Sequence, residues 1–308
     1  MGSIWRRVRR FLEAAWPVLA AYLVAFVLIL AGSTVLVVLG AMLRTGGKLD
    51  ARHLPDAALR FALSAPGILA AAAISGCTFL LVAAVAARIL SRDVVAGLRL
   101  GPTRARPLGF VAAIAGVVAL SVAASSATDL LGVRNTGTME QIATSLSRPT
   151  PLVFTLAILL VGVLPGVAEE TFFRGFAQGR LSARLGPLPA VVTAAFLFGL
   201  IHLDPVQSPL AFLLGLFLGW AAERLGGIRP SIAAHAVNNT LFVVAACLAG
   251  DKATSARNDW REDVIAIAAG TLVLAGASAL LASRAAVSPD RGADGEESGT
   301  ARSKDQEV

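Results

Sequence analysis

Long apolar runs alternate with short polar connections along most of the chain. The runs fall near 16–43, 66–87, 108–132, 151–168, 187–203, 209–222, 231–249 and 264–282. A helix needs about 20 predominantly apolar residues to cross the roughly 30 Å hydrocarbon core of a bilayer. The pattern therefore predicts an all-α, polytopic membrane bundle of about eight transmembrane helices. The connections divide it into N-terminal membrane helices with a linker (1–107), a central membrane core (108–250), a last transmembrane helix (251–284) and a polar tail (285–308). That tail lacks apolar periodicity and is expected to be disordered and cytoplasmic. The first run exceeds the h-region of a signal peptide and is read as an uncleaved anchor.

Composition agrees with a bilayer setting. The chain is 56% hydrophobic and 15% charged, with a mean hydropathy of +0.72, whereas soluble domains are about a quarter charged. The net charge of +7 raises the question of nucleic acid, but the 27 basic residues lie mainly at run ends and in connections. Topology accounts for them, and no nucleic-acid partner is expected. Four arginines in MGSIWRRVRR, then Arg88, Arg92, Arg99, Arg104 and Arg106, place both stretches in the cytoplasm by the positive-inside rule. Both termini of this cell-membrane protein follow. Arg44, Lys48, Arg52 and Arg60, after the first run, count against that orientation. The polar stretch 133–150 is expected to be an external connection. Cys77 and Cys247 have no CxxC partner and read as small core residues. The pairs Gly162/Gly166 and Gly215/Gly219 read as sites of close helix packing.

Against this background the stretch AEETFFRG (168–175) is anomalous. An unpaired charge at the centre of a membrane helix costs at least ~2.5–3.5 kcal/mol. Glu170 and Arg174 are four residues apart, the spacing of an ion pair along one helix face. Glu169 points about 100° away and is left without a partner on its own helix. Phe198 and His202 share the same four-residue spacing, so the ring can hold the imidazole; His235 and Asn239 repeat it. If the chain turns at Gly186–Pro187, Glu169 and His202 meet at similar depth across a helical hairpin, and His235 and Asn239 reach a comparable level from the next one. His53, in the connection after the first run, reads as a surface residue, and Asn238 as a helix-bridging one.

In order and type, EETFFR (169–174), FGLIH (198–202) and HAVNN (235–239) resemble the EExxxR, FxxxH and HxxxN motifs of the CPBP family. These are the CAAX-protease and bacteriocin-processing intramembrane peptidases, also called the Abi family. The resemblance covers about 150–245 and implies an eight-helix membrane fold whose cavity opens to the cytosol. It implies that Glu169 is the catalytic glutamate, that His202 is its partner on the attacking water, and that His235 and Asn239 stabilise the oxyanion. Glu170, Arg174 and Phe198 become supporting residues. The implied substrate is the C-terminal segment of a peptide or protein, with or without a lipid.

The chemistry suits those residues. A glutamate at that depth can take a proton from water, and hydrogen-bond donors in a water-poor site stabilise a developing oxyanion strongly. No cofactor is expected. A zinc mechanism remains an alternative, since Glu169, His202 and His235 are three potential ligands; the sequence has no HExxH and no cysteine near the site. A proton-path transporter or a catalytically silent scaffold is the alternative of another class. Transporters favour broken helices in repeated halves, and no such pairing is visible.

Overall fold

Within hydrocarbon the backbone must satisfy its own polar groups, which a helix does within one segment. The computed structural model describes residues 2–46, 52–133, 138–249, 260–283 and 286–287. They form α1 (Gly2–Arg44), α2 (Leu54–Ala62), α3 (Ala65–Leu90), the short α4 (Val94–Gly97), α5 (Pro107–Leu130), α6 (Thr138–Ser145), α7 (Pro151–Leu185), α8 (Pro187–Leu200), α9 (Gln207–Leu225), α10 (Arg229–Ala249) and α11 (Trp260–Ala282). No strand is present among the described residues. The polar tail and most of the connection before α11 lie outside them.

Among the described residues, seven helices are long and apolar enough to cross a membrane: α1, α3, α5, α7, α9, α10 and α11. The remaining expected span is cut short. At 14 residues, α8 extends about 21 Å, well below the hydrocarbon thickness. Its end is set locally. Leu203 adopts a left-handed φ of 52°, and the Asp204 carboxylate accepts hydrogen bonds from the backbone N–H groups of Val206 and Gln207 at 2.9 and 2.8 Å. The chain therefore turns inside the apolar run instead of continuing through it.

Other expectations also change. The polar connection 133–150 contains α6. The fourth span continues past 168 into the 35-residue α7, so Glu169 and Glu170 lie near its midpoint. Cys77 is exposed on α3 and Cys247 is half-buried. A helix apolar all round gives no sequence signal for which side meets lipid and which meets protein.

Helix α7 organises the interior, with α3 and α10 packed along it and α8 and α9 against its later half. Both GxxxG pairs lie at close approaches. A Cβ on Gly166 would come within 2.6 Å of the Ala236 backbone nitrogen, and one on Gly219 within 2.6 Å of Gln178 Oε1. Ala236 follows His235, so Gly166 sets how near α10 brings that histidine to the glutamates of α7. Gly166→Val is expected to push the two helices apart, with a loss of about 1–3 kcal/mol from overpacking. A lowered thermal midpoint in detergent checks this; an unchanged midpoint would contradict the close approach.

Candidate active site

Two stretches of α7, Ile158–Val163 and Thr171–Gln178, take the wider i→i+5 turn, a rare feature that often marks functional sites. The second begins directly after the two glutamates, and every residue in it is buried. It is enclosed by Phe79 of α3, whose ring centroid lies 5.2 and 5.5 Å from those of Phe172 and Phe173, and by α8 and α9.

The neighbouring carboxylates meet different surroundings. Arg174 Nη1 donates to Glu170 Oε1 at 2.7 Å, with both side chains at 0% exposure. His235 Nδ1 lies 2.9 Å from the same oxygen. A carboxylate ionised beside an arginine only accepts, so the Nδ1 hydrogen belongs to the histidine. The other ring nitrogen, Nε2, then faces Glu169, 3.9 Å from its Oε2. That distance is too long for a direct hydrogen bond. Glu169 retains 16% side-chain exposure, and among the described residues no protein group hydrogen-bonds its carboxylate.

Phe198 joins the remaining parts. The Arg174 guanidinium lies 4.4 Å from its ring centroid, a cation–π contact that supports a buried charge already engaged by Glu170. The imidazoles of His202 and His235 meet the same ring edge-on, at centroid distances of 5.1 and 5.8 Å. His202 Nδ1 donates to the Phe198 carbonyl at 2.8 Å, which leaves Nε2 as an acceptor when the ring is neutral. His202 occupies the turn after α8, not the helical position that the hairpin argument gave it. Non-helical backbone at membrane depth is tolerated only when enclosed by protein or beside a water-filled cavity.

These contacts gather Glu169, Glu170, Arg174, Phe198, His202 and His235. Asn239 lies one turn beyond His235 on α10 and is half-buried. Its Oδ1 accepts from Asn238 Nδ2 at 3.4 Å, and among the described residues it makes no side-chain hydrogen bond to either glutamate. No group of three or more His, Cys, Asp or Glu side chains among the described residues is arranged to hold a metal ion.

Sequence reasoning missed two polar residues that set the site's frame. Asp204 fixes the turn carrying His202. Gln178 donates to the Gly219 carbonyl at 2.9 Å and to Glu223 Oε1 at 2.8 Å, and Glu223 holds Arg99 of the linker at 2.6 Å. Extending the four-residue row from Glu170 through Arg174 reaches Gln178, a signal present in the sequence.

Residues 151–241 match the model of the family described as Type II CAAX prenyl endopeptidase Rce1-like. The match begins with α7, ends on α10 just past Asn239, and includes all three motifs. Through this segment the chain is similar to the CAAX-type intramembrane peptidases whose motifs it resembles. The family is one of proteases, and the long apolar helices make this a multi-pass membrane protein. No curated protein and no solved structure matches the chain significantly.

Proposed function

We propose that the protein is an intramembrane endopeptidase that hydrolyses a peptide bond near the C-terminus of a protein or peptide substrate, with Glu169 activating the water. The observation that carries this reading is the division between adjacent carboxylates. Glu170 is buried and held by Arg174 and His235, whereas Glu169 is partly exposed and has no protein hydrogen bond among the described residues. A general base needs an accessible lone pair near its proton donor, which Glu169 has and Glu170 lacks.

In the proposed reaction a water donates one proton to Glu169 while its oxygen attacks the scissile carbonyl. The lone pair on His202 Nε2 helps orient that water. His235 and Asn239 stabilise the oxyanion. Because His235 Nδ1–H is committed to Glu170, His235 can donate from Nε2 only as an imidazolium, with Glu170 as its counter-charge. The proton on Glu169 then passes to the departing amine. These steps need no Lewis acid, and the proposal includes no metal. The arginine-bearing end of the bundle faces the cytosol, by the positive-inside rule.

The test compares peptide termini in membranes of cells carrying wild-type protein and Glu169→Ala, read by mass spectrometry. C-terminally shortened species should be present with the wild type and missing with the variant. With a substrate so identified, the purified wild type should retain turnover after treatment with a strong zinc chelator. Identical termini in the two cell types would remove the basis for the peptidase reading.

A further inference from the structure

A cavity of about 520 Å³ lies among the ends of α3, α7 and α9 and the linker carrying α4. Its polar wall includes Arg99, Arg180, Ser182, Arg184 and Glu223. Arg99 and Glu223 neutralise each other at 2.6 Å, which leaves Arg180 and Arg184. They are four residues apart on one helix, a like-charge spacing that is unfavourable unless an anion offsets it. Glu13 of α1 is close enough to feel the charge of Arg184, but it is already paired with Arg9 at 2.7 Å. Among the described residues neither Arg180 nor Arg184 forms an ion pair, and the buried Arg180 Nε has no hydrogen-bond partner. A buried donor in that condition is costly until an acceptor reaches it.

We propose that this cavity binds the phosphate of an anionic phospholipid headgroup. The cationic wall lies where the linker and the ends of α7 and α9 carry their arginines. Basic pockets between membrane helices at that level suit such headgroups. Leu90 lines the cavity, and Ile89 beside it is exposed, so the polar wall adjoins an apolar surface suited to an acyl chain. The cavity is separate from the candidate active site. Phe176 lines it, and the rings from Phe176 through Phe172 and Phe173 to Phe198 pack tilted or edge-to-face at centroid distances of 6.0, 5.0 and 5.2 Å between the two. The bound lipid fastens the later half of α7 to the linker, which Glu223 of α9 already joins through Gln178 and Arg99.

The experiment uses the full chain, delipidated in neutral detergent and titrated with short-chain phosphatidylglycerol, phosphatidylcholine or inorganic phosphate. Binding is read by native mass spectrometry and by the shift in thermal unfolding. Phosphatidylglycerol is expected to bind and to raise the unfolding midpoint, while phosphatidylcholine and millimolar phosphate do neither. Arg180→Gln and Arg184→Gln should each weaken phosphatidylglycerol binding by about tenfold, the effect of one lost charge-assisted hydrogen bond. Arg184 is exposed, so its variant folds even if the Arg180 variant does not. Equal affinity in wild type and Arg184→Gln would overturn the proposal. Protection by inorganic phosphate at the same concentrations would assign a free anion instead of a lipid. Displacement of the lipid by a peptide with a free C-terminal carboxylate, but not by its amide, would assign the cavity to substrate and overturn the proposal. The readout is binding, so its outcome is independent of whether Glu169 supports turnover.

Discussion

Glu169→Gln is expected to fold as the wild type does and to lose about 10²- to 10⁴-fold in turnover, the usual contribution of a positioned general base. The amide is nearly isosteric with the carboxylate, and Glu169 makes no protein hydrogen bond among the described residues, so little folding energy depends on its charge. The neutral amide cannot accept the water proton, so the chemical step is what suffers. Turnover per folded molecule, with the thermal midpoint recorded on the same sample, separates the two effects. A stable variant with wild-type turnover would exclude Glu169 as the base. An unstable one would mean that its carboxylate supports the fold.

Glu170→Gln should do the reverse and act first on stability. The Glu170 carboxylate accepts from both Arg174 and His235, and the Arg174 side chain is wholly buried. Removing one partner of a buried pair leaves an uncompensated charge, a defect of about 3–5 kcal/mol when fully desolvated. The cation–π contact with Phe198 offsets only part of it. Turnover per folded molecule should also fall, because the His235 imidazolium that donates to the oxyanion loses its counter-charge, but by less than in Glu169→Gln. Denaturation in detergent measures the first effect and initial rates on the folded fraction the second. If Glu170→Gln were stable and inactive while Glu169→Gln turned over normally, the two roles would be exchanged.

These contrasting expectations arise from residues that are neighbours in sequence, and the sequence already distinguished them. The four-residue spacing of Glu170 and Arg174 is a local property of a helix, so the pair and the isolation of Glu169 could be read from positions alone. The contact of Phe198 with His202 was legible for the same reason: it forms over four residues and survives although His202 falls in the turn beyond α8. The bond from His235 to Glu170 was not legible. It spans 65 residues and depends on the close passage of α10 over Gly166, which no local pattern encodes. The shortness of α8 was hidden as well. Its apolar run continues past the helix end, and the break depends on the Asp204 side chain capping the next helix.

The sequence by itself determined that this is a helical membrane protein, because apolar runs of bilayer length leave the backbone no other way to satisfy its hydrogen bonds. It also placed the three motifs that lie within the family match. Tertiary structure alone decided which carboxylate is enclosed and which is open, which nitrogen of His235 faces Glu169, and which apolar faces are core or lipid-facing, as exposed Cys77 shows. The physical reason is range. Hydropathy and four-residue spacing act within one helix, whereas burial and side-chain partnership depend on which helices meet, and a helix apolar on every side carries no record of its neighbours.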